Sequence, residues 1–418
     1  MRTIVSLTPL PLDRDSRTLK IATSLARIGY RSVVVENRPS LSASRYEGID
    51  LVTLGRASAG ATAPPVQAPG GARGEDFPSR LKAALRPLAG RGLAEPVHLA
   101  VFILAYFLWR PVLGLRQVPR ADLYYLHEYR LFPTVWLLQL VRGRVPVIYD
   151  AHDIYQQVYG DDQLSPFWRR VFLPFLGWME RWCARHADAV VSVGHGVAAT
   201  IATLLDTPVR VIRNCHDRRL ERLPTQTVRD RIGLEDGDRL VVVIGNRKPG
   251  QVIEPTIAAL AKVPGVHLAF VGRSYDDAAG LAARHNVSGR VHAVGAVPPE
   301  CVVPFVRSAD AAGLLYWPHT ANTLNILPNG FFQSVSAGLP LLYPDLPEIT
   351  GIIAGRPVGR QIDPRDGRSM VDALTWLIQS GDDIRATARE TVDAIADEVS
   401  WQREEERLAA LVAEFLPD

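Results

Sequence analysis

The sequence predicts an α/β protein made of two tandem Rossmann-like, doubly wound parallel-sheet domains facing each other across a cleft. Three observations carry that expectation. Short β-branched runs such as Arg31–Glu36 (RSVVVE) and Arg239–Ile244 (RLVVVI) read as strands buried on both faces. Helical patterns alternate with these runs, which implies parallel strands joined by right-handed crossovers. The alternation breaks over 218–237, a polar, charged and weakly patterned stretch, and then starts again. A chain of 418 residues has room for two or three domains, so the same architecture built twice fits its length.

In chain order, Thr3–Thr8 reads as the first strand; its apolar run is too short for a secretory leader and is broken by Pro9 and Pro11. Ser16–Arg27 has helical spacing, with Leu19, Ile21 and Leu25 on one side. After Arg31–Glu36 comes a shorter strand at 50–54, then an Ala/Gly/Pro-rich stretch, 56–78, that reads as a mobile loop. Strands at Leu123–His127, 145–149 and 189–193 complete the first series. Arg239–Ile244, 266–272, 291–294, 311–315 and 340–343 form the second, with helical patterns at 252–262, 274–284, 300–307 and 329–337. The expected organisation is an N-terminal domain over 1–217, a junction over 218–237, a C-terminal domain over 238–395, and a last helix over 396–418 returning to the N-terminal domain. No lipidation or retention signal is seen at the C-terminus.

Composition narrows the classes of function. Hydrophobic residues are 47% and charged residues 22%, enough apolar mass for a large core and too much for a disordered chain. Lys+Arg is 47 against Asp+Glu 44, without the basic excess of a general nucleic-acid binder, so no nucleic-acid partner is expected. The three cysteines, Cys183, Cys215 and Cys301, are far apart and odd in number, which fits a reducing compartment and a cytoplasmic address. A basic and apolar stretch stands out at 80–110. Arg80, Lys82, Arg86 and Arg91 precede 97–109 (VHLAVFILAYFLW), which ends at Arg110-Pro111 and is shorter than the ~20 residues that a bilayer span needs. One reading is a buried helix covering the first sheet. Another is a peripheral contact with the inner face of the cytoplasmic membrane, where basic residues meet headgroups and Phe102, Tyr106, Phe107 and Trp109 dip into the boundary. A transmembrane helix is the third.

Four groups have the chemistry of a site. His127-Glu128 ends the strand DLYYLHEY, and Asp150-Ala151-His152-Asp153 ends the strand VPVIYDAHD. Carboxyl ends of parallel strands are where such sheets place working groups, although a histidine in a turn can be purely structural. No third ligand has convincing metal spacing, so no metal is expected. Gly245-Asn246-Arg247-Lys248-Pro249-Gly250 follows the first strand of the second series; glycines with two cations suit a phosphate, and a solvated turn is the alternative. It is neither a Walker A loop nor GxGxxG. In 325–333, Pro328-Asn329-Gly330 turns into a helix whose N-terminus suits an anion, and Asn325 and Gln333 can hydrogen-bond sugar hydroxyls; an ordinary capped helix is the alternative.

Taken in order, these stretches resemble glycosyltransferase family 4, which has the GT-B fold. LPLDRDSRTLKIATSLARIGYRSVVVE is similar to the first strand–loop–helix of the branch with an Asp-x-Arg element, matched by Asp15 and Arg17. The pair of strand ends at His127 and His152 resembles the consecutive ends of the family's N-terminal half. HADAVVSVGHGVAATIA…VRVIRNCHD resembles a strand–helix–strand ending in an Asn-x-x-Asp turn, here Asn214 and Asp217. ILPNGFFQSVSAGLPLLYPDLPEI resembles the donor-binding segment. The resemblance implies retaining transfer of a sugar from a nucleotide-sugar donor to an acceptor hydroxyl, carbohydrate or lipid-linked, without metal or other cofactor, in polysaccharide, glycolipid or glycosylated-metabolite synthesis. It implies that His127 lies near the transferred sugar as the catalytic group. It places Arg247 and Lys248 on the diphosphate and Asn325, Asn329, Gly330 and Gln333 on the donor. Asp15, Arg17, Glu128, His152 and Asp153 fall on the acceptor side or cleft. The sequence departs from the family in carrying amides, Asn325 and Gln333, at both ends of its Glu-x7-Glu spacing. Pro9–Arg14 replaces a glycine-rich loop, and the usual Arg…Lys spacing is compressed to neighbours. A catalytically silent GT-B binding protein and a nucleotide-sugar epimerase are the alternatives. No oligomeric state is read from the sequence.

Overall fold

The computed structural model describes residues 1–37, 39–40, 46, 48–55, 94–157, 164–235, 237–380 and 382–417. The 56–78 loop and the basic residues Arg80, Lys82, Arg86 and Arg91 lie outside the described residues. Seven strands form the first sheet: β1 (Thr3–Thr8), β2 (Arg31–Glu36), β3 (Ile49–Thr53), β4 (Leu123–His127), β5 (Val147–Ala151), β6 (Ala189–Ser192) and β7 (Val209–Val211). Their spatial order is β3-β2-β1-β4-β5-β6-β7, every pair parallel. Six more form the second sheet: β8 (Arg239–Ile244), β9 (Val266–Val271), β10 (Val291–Ala293), β11 (Ala311–Gly313), β12 (Leu341–Pro344) and β13 (Gly359–Ile362), in the order β10-β9-β8-β11-β12-β13, again all parallel. In both sheets the order in which strands are added therefore reverses once, between β1 and β4 and between β8 and β11. Such switch points open crevices at the carboxyl ends of the strands.

The central strands are covered by helices on both faces: β2, β4, β5 and β8 are buried almost throughout. β13 (GRQI) was not legible in the sequence. It is a polar edge strand with only Ile362 buried, so no hydrophobic run marks it. It starts at Gly359, φ +150°, where any Cβ would strike the carbonyl oxygen of Leu341.

Helix Trp401–Phe415 lies against helix Ser16–Arg27 of the first sheet's domain. Trp401 is fully buried, and its indole N–H donates to Ser24 Oγ at 2.9 Å. Arg27 Nη1 donates to both oxygens of Glu405 at 2.9 Å, and Glu404 accepts the backbone N–H of Arg213 at 3.0 Å. The apolar segment at 97–109 belongs to a longer helix, Ala94–Gln117. It does not stop at Arg110-Pro111, as the sequence suggested. The π-helical stretch Leu104–Trp109 lies immediately before Pro111, which has no N–H to donate into a regular turn. At 24 residues the helix is long and apolar enough to cross a membrane by length and composition. Here it packs on helix Phe132–Arg142.

The last helix should be an integral part of the N-terminal folding unit. Trp401→Ala is expected to lower unfolding free energy by about 3–5 kcal/mol, read by urea denaturation; a loss below about 1 kcal/mol, the scale of an ordinary surface change, would contradict this.

Candidate active site

The first half of the site is built by strand register. β4 and β5 run side by side with His127 paired to Asp150, and His152 follows β5 directly. Helix Ser16–Arg27 enters from β1 with Asp15 as its N-cap. The Asp15 carboxylate accepts from Thr18 N at 3.0 Å, Thr18 Oγ1 at 2.6 Å and Thr8 Oγ1 at 2.8 Å. Two residues on, Arg17 reaches down to the strand ends. Its Nε and Nη2 donate to the two oxygens of Asp150 at 2.8 and 2.9 Å, and Nη1 donates to the Ile212 carbonyl at 2.8 Å. Nδ1 of His127 and Nε2 of His152 lie 3.3 Å apart, and both are within 3.7 Å of Asp150 Oδ2.

Burial and charge compete over these groups. Burial alone would raise the Asp150 carboxyl, but Arg17 and then His152 outweigh it and hold it well below the usual range. Burial would also raise Asp15, and the two imidazoles bring it below its ordinary value. Burial pushes His127 down to about 4 against the pull of Asp150. On His152 the same desolvation is outweighed by Asp150, and the pKa is raised. With the charge on His152, its Nε2–H donates to Nδ1 of a neutral His127, whose buried Nε2 has no hydrogen-bond partner among the described residues. Two carboxylates then face one guanidinium and one imidazolium, a neutral set.

His127 has no exposed surface, whereas the His152 side chain is 18% exposed. The histidine singled out from the sequence as catalytic is therefore the buried support, and His152 is the ring that reaches the surface. Asp15 and Arg17 are likewise buried beneath it and do not line the cleft. Glu128 sits at φ +67°, a backbone conformation that a glutamate rarely adopts, and its carboxylate is paired with Arg130 Nε at 2.8 Å. Asp153 stands at the boundary with the second sheet's domain: Asn322 Nδ2 donates to Asp153 at 3.3 Å and Asn322 Oδ1 accepts from Ile154 N at 3.0 Å.

The second half is set by close backbone approach. A Cβ on Gly330 would lie 2.5 Å from the Ile244 carbonyl oxygen, so only glycine lets helix Asn329–Ser336 start against the carboxyl end of β8. Asn329 is exposed, and its Oδ1 accepts from Asn214 Nδ2 across the domain boundary at 2.8 Å. Asn325 caps helix Ala321–Leu324 and bonds the Ala321 carbonyl at 3.0 Å; a Cβ on Gly196 would collide with its side-chain oxygen. Glu348 converges on the same place and accepts the Gly196 N–H. Gln333 is half-buried, on the second turn of helix Asn329–Ser336. Lys248 is exposed, but Arg247 donates to Asp277 at 2.8 Å and lines a cavity of about 610 Å³ with Gln251, Asp277 and Arg284.

The structure thus gathers Asp15, Arg17, His127 and His152 into one cluster and sets Asp153, Asn325 and Asn329 at the contact between the domains. It turns Arg247 toward Asp277. Sequence reading passed over Asn322 and Glu348, and placed Asp150 in a strand-end group without assigning it a role. Asp150 had a usable signal, since it stands two residues before His152 and opposite His127 in parallel register. His127, Asp150 and His152 offer ligand atoms within 4.8 Å of one another. As a metal site they fit poorly, because both Asp150 oxygens already accept from Arg17, and a dication would share that carboxylate with a guanidinium.

Residues 17–220 match the family model described as Glycosyltransferase Family 4. No curated protein matches the sequence. Among solved structures, the chain is similar to a sucrose-phosphate synthase from Thermosynechococcus elongatus (14% identity, TM-score 0.67, 100% of this chain and 99% of that one). It is also similar to Anabaena HepE in complex with UDP and glucose (13%, 0.66, 99% and 100%). A third is trehalose 6-phosphate synthase from Burkholderia multivorans (12%, 0.66, 99% of each). The likeness to these structures over almost the whole chain shows the GT-B fold.

The two histidines should titrate apart. By NMR, His127 is expected to stay neutral down to about pH 4, while His152 keeps its proton above its ordinary value of 6.5. The linkage signs are opposite. His152 contributes stability that is full below the unfolded pKa and is lost as pH rises through its raised value. His127 contributes stability present above the unfolded pKa and lost as pH falls toward about 4. Asp150→Asn should bring the His152 pKa below 6.5, because desolvation then acts with its main opponent removed; an unchanged value would refute the assignment.

Proposed function

We propose that this chain is a retaining glycosyltransferase that moves a sugar from a nucleotide-sugar donor to an acceptor hydroxyl. One observation carries the reading: His152, half-buried, reaches the surface from a buried, charge-balanced support at the strand ends of one GT-B sheet. The domain boundary beside it carries the 325–333 segment of the second sheet's domain. The comparison structures with UDP and UDP-glucose support a uridine nucleotide as the first donor to try. In this reading the first sheet's domain takes the acceptor and the second takes the donor. His152 uses Nε2 on His127, which leaves Nδ1–H to donate to a hydroxyl of the transferred sugar. The N-terminal amides of helix Asn329–Ser336 and the Lys248 ammonium stabilise charge developing on the departing diphosphate.

Retention follows if the leaving group and the incoming hydroxyl occupy the same face. The departing phosphate oxygen accepts the acceptor's proton, and no enzymic carboxylate nucleophile is needed. Asn325 and Gln333 serve as neutral partners of donor hydroxyls, each weaker than a carboxylate by about 1 kcal/mol. Arg17 already takes both oxygens of Asp150, so this reading needs no metal beneath His152. The same amides favour one second reading, a protein that binds the donor without turning it over.

A thermal-shift panel of UDP-, GDP- and dTDP-linked sugars should raise Tm for at least one donor through mass action; no shift with any of them would overturn donor binding. With that donor, His152→Ala is expected to lower kcat by on the order of 10²-fold or more, with KM little changed. Chelator should leave the rate unchanged. Binding with no transfer or donor hydrolysis by wild type would establish the second reading.

A further inference from the structure

The domain of the first sheet exposes an apolar face that the site does not use. Three helical segments build it: Ala94–Gln117, Phe132–Arg142, and 164–186. Aromatic rings hold them together. Phe107 stacks on Trp178 and Trp182 at centroid distances of 6.3 and 6.1 Å, Trp182 meets Trp136 at 5.6 Å, and Phe102 packs on Phe172 at 5.6 Å. Phe102, Tyr106 and Phe107, expected from the sequence to face a membrane, are therefore half-buried in this internal cluster. The outward side chains are others. Leu104, Leu108 and Val112 recur at four-residue steps along the first helix, Trp136 and Leu140 along the second, and Val171 and Trp178 lie on the third. Leu108 is 60% exposed, Leu140 68% and Trp178 49%, unusual for large apolar groups gathered on adjoining helices.

The charges around this face have one sign. Arg116 lies one turn beyond Val112, and Arg169 and Arg170 directly precede Val171; all three are exposed, as is Arg185. The carboxylates of the same segments are turned inward: Glu180 is buried against Tyr149, and Glu95 accepts from Ser165. Among the described residues of these segments no carboxylate is exposed. A second copy of the same face would oppose arginine with arginine, which disfavours self-association. An anionic surface with an apolar interior complements both features.

We infer that this face docks the protein onto an anionic lipid bilayer, with Leu108, Leu140 and Trp178 entering the interface and Arg116, Arg169 and Arg170 meeting the headgroups. This inference does not depend on the sugar-transfer reading, and its test does not use activity. The full chain is sedimented with phosphatidylcholine vesicles and with mixed phosphatidylcholine–phosphatidylglycerol vesicles. Wild type should pellet with the mixed vesicles, much less with phosphatidylcholine alone, and be released by high salt or alkaline carbonate. The triple variant Leu108→Ser/Leu140→Ser/Trp178→Ser and, separately, Arg169→Glu/Arg170→Glu should each weaken vesicle binding by on the order of tenfold or more. Circular dichroism verifies that each variant is folded; the charge variant alters only exposed side chains and keeps the test decisive if the triple variant is not. Four outcomes would overturn the inference: wild type remaining in the supernatant, folded variants pelleting like wild type, retention after carbonate, or a wild-type oligomer that the triple variant dissolves without any change in pelleting.

Discussion

The ion pair between Arg17 and Asp150 is the constraint around which the N-terminal half is arranged. It ties the first turn of helix Ser16–Arg27 to the end of β5, and through Ile212 to the segment that follows β7. Both side chains are almost wholly removed from water. Desolvating two charges is costly, and leaving either one alone costs about 3–5 kcal/mol, so the pair is retained as a unit. Asp15 and His152 complete it, one on each side of the charge balance. The spacing of the Asp-x-Arg element follows from this geometry. The Asp15 side chain caps the helix, and the Arg17 side chain crosses the first turn to the strands.

That arrangement also decides which histidine is available. Burial removes the charge from His127 and leaves it as an acceptor, while the nearby Asp150 keeps His152 cationic. Two imidazoles 3.3 Å apart could not both be cationic in so little water. One becomes structure and the other faces outward.

The contact between the domains is made largely of amides, backbone and glycine. Asn214 bonds Asn329 and Asn322 accepts from Ile154 N through neutral hydrogen bonds, Asn322 also donates to the Asp153 carboxylate, and Gly196 lets Asn325 come close. Glu348 already places a carboxylate on the N-terminus of helix His195–Leu205. A second carboxylate at position 325 would crowd the same helix end with like charge. This gives a local reason for an amide at position 325, and neutral amide contacts can be broken and remade without desolvating an ion.

Two parallel sheets follow from the order of residues alone, because β-branched runs alternating with helices have few other ways to bury both faces. The placing of His127, Asp150 and His152 on neighbouring strand ends follows in the same way. Packing in three dimensions settled what period and propensity do not encode. Polar GRQI became a strand because β12 offered an edge. Helix Ala94–Gln117 continued past Arg110-Pro111, with a π-helical stretch ahead of the proline. Arg247 turned to Asp277 because a flexible cation goes to the nearest carboxylate in space. Exposure, which separates His152 from His127, depends on how helices pack over strand ends, and no residue carries that information alone.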